Sequence, residues 1–301
     1  MLIVSAARFK GAEKSTVEIS TLPSRLQPAL LGILTRGYLT SRDLAATLID
    51  LAQRGHLVIR QFSFTDFRFR RQTSSDKLED YEEVLLTQIF GPTSEMSSSE
   101  EISFSLSQEV FSKRVSQSFV LAYRKMNELG YFKTNPLSQH LKYQITSIVI
   151  FAFGLIGFFA NVFLLSNISY LLLVWAAIMA MAITIFYFSR NMPTRTIYGD
   201  RELGRWLAFK DYLSSKTPAK YAAQSQDQYL AYLPYAIVFE REIDWTKRFY
   251  DLPFAQPGWY IAPNIGTVDQ FANSLFPLFG YLSHALSLSV QPASRWACLG
   301  S

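Results

Sequence analysis

Ile145-Thr-Ser-Ile-Val-Ile-Phe-Ala-Phe-Gly-Leu-Ile-Gly-Phe-Phe-Ala-Asn-Val-Phe-Leu-Leu165, then Ser166-Asn-Ile-Ser169, then Tyr170-Leu-Leu-Leu-Val-Trp-Ala-Ala-Ile-Met-Ala-Met-Ala-Ile-Thr-Ile-Phe-Tyr-Phe188, is the stretch that decides the fold. No charged residue lies between Lys142 and Arg190. Each apolar run has about the 20 residues that carry a helix across a hydrocarbon core. Neither run shows the polar face that a core helix of a water-soluble domain would need. The short polar connector leaves room only for a tight reversal. The spacing therefore predicts a transmembrane helical hairpin over 143–189, with spans at 145–165 and 170–188.

The flanks set the expected orientation. Lys133, Lys142, Arg190 and Arg195 lie just outside the two runs, and the connector carries no charge. The positive-inside bias then places both flanks in the cytoplasm and the connector outside. Tyr143, Tyr170 and Tyr187 fall near the expected interfaces. Gly154, Gly157 and Ala160 either let the helices approach closely or are ordinary small residues of a membrane helix. Asn161, the one amide within a span, is expected to hydrogen-bond to the partner helix.

Around this block, composition excludes more than it assigns. The chain has 301 residues, 49% hydrophobic and 18% charged, with a mean hydropathy of +0.10. That mixture suits ordinary polar units joined to a separate apolar block. A net charge of +5 favours anionic surfaces, either phospholipid headgroups or nucleic acid. Cys298 is the single cysteine, which rules out an internal disulfide, and His56, His140 and His284 are far apart. No metal or cofactor is expected. The opening Met1-Leu-Ile-Val-Ser-Ala-Ala-Arg8 lacks a basic region ahead of its apolar run and reads as neither signal peptide nor span; residues 1–23 are taken as an extended segment.

Residues 24–75 read as helix, turn, helix, strand, strand, the outline of a winged helix. A first helix is expected over 25–34, ending near Gly37. Thr40 has the look of an N-cap, with Asp43 three positions on. Leu44, Leu48, Leu51 and Ala52 then form one stripe, and Gly55 stands where a C-terminal glycine cap is expected. Strands follow at 56–62 and 64–71. A second module at 76–135, with helices at 79–90 and 106–129 and a short strand at 102–104, could be another winged helix. Gln53-Arg-Gly-His-Leu and Glu128-Leu-Gly-Tyr-Phe occupy equivalent places in the two. The Ser-rich 93–99 reads as a loop between them. In a DNA-binding winged helix, the helix at 41–54 would enter the major groove. Its charges, Arg42, Asp43, Asp50 and Arg54, cancel, whereas Arg68, Arg70 and Arg71 in the hairpin are candidate contacts to an anionic surface.

After the spans, Gly199-Asp-Arg-Glu-Leu-Gly-Arg-Trp-Leu-Ala-Phe-Lys-Asp-Tyr-Leu-Ser214 predicts an amphipathic helix with Leu203, Trp206, Leu207, Lys210 and Leu213 on one face. Pro234 either begins or kinks a helix over 228–240. Two readings compete for the aromatics of this 196–262 module: a helical core docked on the first flank, or rings at headgroup level beside Arg241, Lys247 and Arg248. The carboxylates Asp200, Glu202, Asp211, Glu240, Glu242 and Asp244 have the spacing of a solvated face, and no nucleophile or phosphate loop accompanies them. The apolar tail, 263–301, is taken as an interfacial or packed helix, with a third span at 275–290 as the alternative.

Three stretches carry a family resemblance: Leu30-Leu-Gly-Ile-Leu34 with Thr40 through Ile59; Arg205-Trp-Leu-Ala-Phe-Lys-Asp-Tyr-Leu213; and Tyr232-Leu-Pro-Tyr-Ala-Ile-Val-Phe239 with Trp245, Phe249, Trp259 and Tyr260. In these the chain resembles the C-terminal half of the YciQ-like family of predicted bacterial membrane proteins, defined by a domain of unknown function. The family-motif residues singled out are Leu233, Pro234, Tyr235, Trp245, Trp259 and Tyr260. The resemblance implies the cytoplasmic (inner) membrane and supports the hairpin. Family members usually begin with an extracytoplasmic β-rich domain and a further span, which this sequence does not carry, and tend to have glycine where Ala208 and Glu240 stand. It brings no activity and no catalytic residues.

The expected fold is thus mainly α with small β-hairpins: winged-helix-like cytoplasmic modules, a two-helix transmembrane hairpin and a C-terminal helical module. The expected function is a non-enzymatic, membrane-anchored scaffold or interaction protein, with the bilayer and a protein as partners. A membrane-tethered nucleic-acid-binding regulator is the alternative.

Overall fold

A computed structural model describes residues 20–63, 66–90, 102–103, 116–164, 170–189, 194–215, 225–250 and 252–280. It is mainly helical, with one small sheet and two long apolar helices. In chain order the elements are α1 Pro28–Arg36, α2 Ser41–Gln53, β1 Leu57–Gln61, β2 Phe67–Arg71, α3 Asp80–Phe90, β3 Ile102–Ser103, α4 Ser116–Glu128, α5 Pro136–Leu164, α6 Tyr170–Phe188, α7 Ile197–Ser214, α8 Gln226–Val238, α9 Glu242–Lys247 and β4 Tyr260–Ile261. A further helix, α10, follows at 268–280.

Local chemistry sets the first three elements. Helix α1 starts at Pro28, later than expected, because proline's fixed φ suits a first helical position; Gly37 ends it at φ +79°. Thr40 and Asp43 form the capping box, each closing on the other's backbone N–H. At the far end of α2, Gly55 (φ +82°) donates to the Ala52 carbonyl and His56 to that of Leu51, a Schellman closure. The turn then feeds β1, which pairs antiparallel with β2 from Leu57↔Arg71 to Gln61↔Phe67. Residues 64–65, where the second strand was expected to begin, lie outside the described residues.

The expected second winged module takes a different form. Its short strand, β3, pairs antiparallel with β2 and extends the first sheet. The glycine echo holds locally, since Gly130 follows α4 at φ +71°. The chain beyond it, however, pairs with the far side of the hairpin, through the bridge Phe132↔Arg195. A strand joins whichever edge its neighbours leave unpaired, and β2 offered one. The expected loop at 93–99 and the first part of the helix expected at 106–129 fall outside the described residues.

The fourth strand comes from the other flank. β4 pairs parallel with β1, Ile59↔Tyr260 and Arg60↔Ile261, giving the order β3-β2-β1-β4. Side chains from both flanks make one hydrophobic core, from Leu26, Leu30 and Leu34 through Phe67 and Tyr81 to Trp206, Tyr229, Trp245, Phe271 and Leu275. The segments 24–75, 76–135 and 196–262 all contribute to it, as does α10. The tail beyond 280, including most of the stretch raised as a third span, lies outside the described residues.

Helices α5 and α6 are long and apolar enough to cross a membrane, and only 17% and 6% of their most apolar windows are buried. Phe163 and Leu173 are 77% and 74% exposed, which suits lipid and not a protein core. A Cβ on Gly157 would meet the Trp175 ring, and one on Gly154 would meet Met179. Moving back along one helix moves forward along the other, so the pair is antiparallel, and the two glycines set its close approach. Asn161 is buried, but among the described residues its Nδ2 makes no bond to α6. The connector, 165–169, is outside the described residues.

Candidate functional site

The hairpin arginines do not form one patch. Side chains alternate across a strand, so Arg68 and Arg70 share one face of β2 while Arg71 shares the other with buried Phe67 and Phe69. Burial lowers the pKa of Arg71, with Glu83 opposing. In the antiparallel register Arg60 stands directly opposite Arg68, so Arg60 replaces Arg71 in the cationic set. The sequence reading missed it because Arg60 sits in the apolar strand β1. Phe62, 48% exposed, lies at the turn with the Arg68 guanidinium 4.3 Å from its ring centroid and that of Arg60 at 5.9 Å. Asp66 lies 3.7 Å from Arg68. Ile261, next to Arg60 on β4, extends the same face.

Helix α2, the element that would enter a DNA groove, has no exposed residue. Helices α1 and α8 pack on it, and two arginines lock that packing. Arg42 Nε donates to the Ile237 carbonyl at 2.8 Å and Nη2 pairs with Glu242. Arg36 Nη1 donates to the Val238 carbonyl at 3.0 Å and Nη2 pairs with Asp43. The last carbonyls of a helix lack intrahelical partners, and here the other flank supplies them. The reverse also occurs: Arg195 donates to Leu34 and Thr35, at 2.8 and 2.9 Å, at the end of α1. Arg195 was counted among the cations at the membrane flank; its guanidinium is instead used in folding.

A partly buried charge network joins α2 to α3. Arg54 binds Glu82 through two nitrogens, at 2.9 and 3.0 Å, Asp50 at 3.1 Å and Asp76 at 2.6 Å. Glu82 also accepts from the Glu79 backbone N–H. Burial pushes the Asp50 carboxyl up to about 6 against the pull of Arg54. His56, also buried, is held below its ordinary value by burial and then by the Arg54 charge. Three carboxylates around one guanidinium clamp two helix ends together.

The family-motif residues lie in the core. Leu233, Tyr235, Trp245 and Tyr260 are buried, Pro234 lies inside α8, and Trp259 packs against the cluster. Trp206 meets Tyr235 at 5.2 Å, and Trp245 meets Phe249 at 4.8 Å and Tyr232 at 5.6 Å. Their polar atoms are satisfied: Trp206 Nε1 donates to Glu202, Trp245 Nε1 to the Tyr229 carbonyl, and the Tyr229 and Thr246 hydroxyls share a bond. This is the docked core of the two competing readings. The carboxylates after the spans are dispersed, with Glu202 on Trp206 and Arg205, Glu242 on Arg42 and Asp244 on Arg241.

No curated protein and no solved structure matches the chain. A family model does, described as the C-terminal domain of a predicted membrane protein (DUF2207), over residues 18–249. That interval runs from before α1 to just past α9, so it takes in both flanks, the apolar hairpin and the arginine locks between them. The chain belongs to this DUF2207 family of predicted membrane proteins.

Proposed function

We propose that the chain is a membrane-anchored interaction protein of the bacterial cytoplasmic membrane. Helices α5 and α6 cross the bilayer as a hairpin, and the globular unit, winged-helix-like in α1, α2, β1 and β2, binds a protein partner on the cytoplasmic side without catalysing a reaction. The observation that carries this reading is the shared core. The described residues of the two flanks complete one sheet and cap one another's helices, so they must lie on one side of any membrane the hairpin spans. Lys133 and Lys142 at the base favour the cytoplasm.

The test is site-specific photocrosslinking of the full chain in its native membrane, with the probe at exposed Tyr250 or Ile243. A discrete adduct of constant mass is expected, together with labelling of both sites only after the membrane is opened. Bulk, heterogeneous adducts at both positions, or labelling from outside, would overturn the proposal. The second reading, a nucleic-acid regulator, draws support from Arg60, Arg68 and Arg70 on one face. With α2 covered, such binding would be phosphate-led, salt-dependent and weakly sequence-selective.

A further inference from the structure

The sheet places two guanidinium-bearing residues directly opposite each other, Arg60 and Arg68. Like charges at opposing positions destabilise a strand pair. Asp66, 3.7 Å from Arg68, offsets part of that cost; an anion lying across the pair lowers it further, and Arg70 is on the same face two positions further along β2. Beside them is an exposed aromatic ring, Phe62, at the start of the turn. Guanidiniums adjoining an exposed ring at a hairpin tip suit one kind of surface above others. A bilayer offers phosphates for the arginines and, just beneath them, an interfacial layer favourable to an aromatic ring.

We infer that the β1–β2 hairpin is a second, peripheral membrane contact, seated through Arg60, Arg68, Arg70 and Phe62 on the anionic phospholipid surface of the bilayer that α5 and α6 cross. Two observations favour lipid over nucleic acid. The helix that would enter a groove is covered by α8. The hairpin is also tethered to a bilayer through α5 and α6, so the lipid surface is present at high effective concentration. This inference rests on the spanning role of those two helices.

The full chain, carrying Ser63→Cys with a fluorophore and Cys298→Ser, is placed in nanodiscs of phosphatidylcholine alone or with phosphatidylglycerol added. Spin-labelled lipid serves as the quencher. Failure to enter nanodiscs overturns the spanning role itself, a result distinct from failure of the hairpin to dock. The expected result is quenching that depends on phosphatidylglycerol and is reversed by salt. Each arginine replaced by glutamine shifts the docking equilibrium by roughly fivefold, and replacement by lysine largely restores it. A thermal unfolding midpoint no lower than that of the parent chain confirms that the sheet of each variant is intact. Equal quenching in both lipids, or quenching insensitive to the arginines, overturns the inference. A response to duplex DNA but not to phosphatidylglycerol overturns it too, and assigns the face to nucleic acid.

Discussion

The side-chain amide of Gln53 donates to the backbone carbonyl of Leu230 at 2.9 Å, across 177 positions of sequence. Leu230 is four residues before Pro234, which lies inside α8 and has no N–H to return to that carbonyl. The proline of the family motif frees an acceptor, and the last residue of α2 fills it. The motif thus builds the seam between the flanks. Removing the donor leaves a partly buried carbonyl unsatisfied, so Gln53→Ala is expected to cost about 1–2 kcal/mol. In a Pro234→Ala background the restored N–H serves Leu230 and that cost should shrink. A double-mutant cycle by denaturant unfolding measures it, and additive effects would refute the link.

Glu240 has φ +59°, just past the end of α8. A residue with a Cβ is strained in the left-handed region, and glycine is not. Glu240 is exposed, so Glu240→Gly is expected to stabilise the fold by about 1 kcal/mol. A raised melting temperature checks this. It also gives a physical reason for the glycine seen there in the family resemblance.

Gly32 on α1 faces the Asp43 carboxylate so closely that an added Cβ would overlap its Cγ. That carboxylate accepts from Thr40 N and Oγ1 at 2.8 and 2.7 Å and pairs with Arg36. Gly32→Ala would push it out of the capping box and break a buried ion pair. The expected loss is about 3 kcal/mol, seen as a lower unfolding midpoint. Asp43→Asn should recover little of it, since the clash is steric.

Asp50 is the pH-sensitive member of the Arg54 network, facing Arg54, Glu82, Asp76 and, through α8, Tyr235. Its folded pKa of about 6 lies above the ordinary aspartate value of 3.8. Between these values the folded chain binds more protons than the unfolded one, so this group's contribution to stability falls as pH rises through the window and is lowest above it. Asp50→Asn cannot ionise. It should therefore stabilise the fold by about 1–3 kcal/mol near neutral pH and by almost nothing near pH 4. Thermal unfolding at the two pH values measures the difference, and a pH-independent gain would refute it.

Features governed by near neighbours in sequence were legible. The apolar runs, the Thr40–Asp43 capping box, the glycine stop at Gly55 and the apolar face of α7 at Leu203, Trp206 and Leu213 all follow from periods of three to four residues or from uninterrupted length. The cationic face was legible only in part. Arg68 and Arg70 were found, but Arg71 turns to the other side and Arg60 joins through strand register, which no local pattern specifies.

The sequence by itself determined that this protein carries an apolar two-helix hairpin between two polar flanks, because burial of a 20-residue run is decided by its own side chains. Only the tertiary structure decided that those flanks are one body. β4 completing the sheet, Arg195 capping α1, Arg36 and Arg42 capping α8, and Gln53 serving Leu230 each join residues more than 150 positions apart. A free carbonyl or an open strand edge is satisfied by any donor that the fold brings near, and its sequence does not say which.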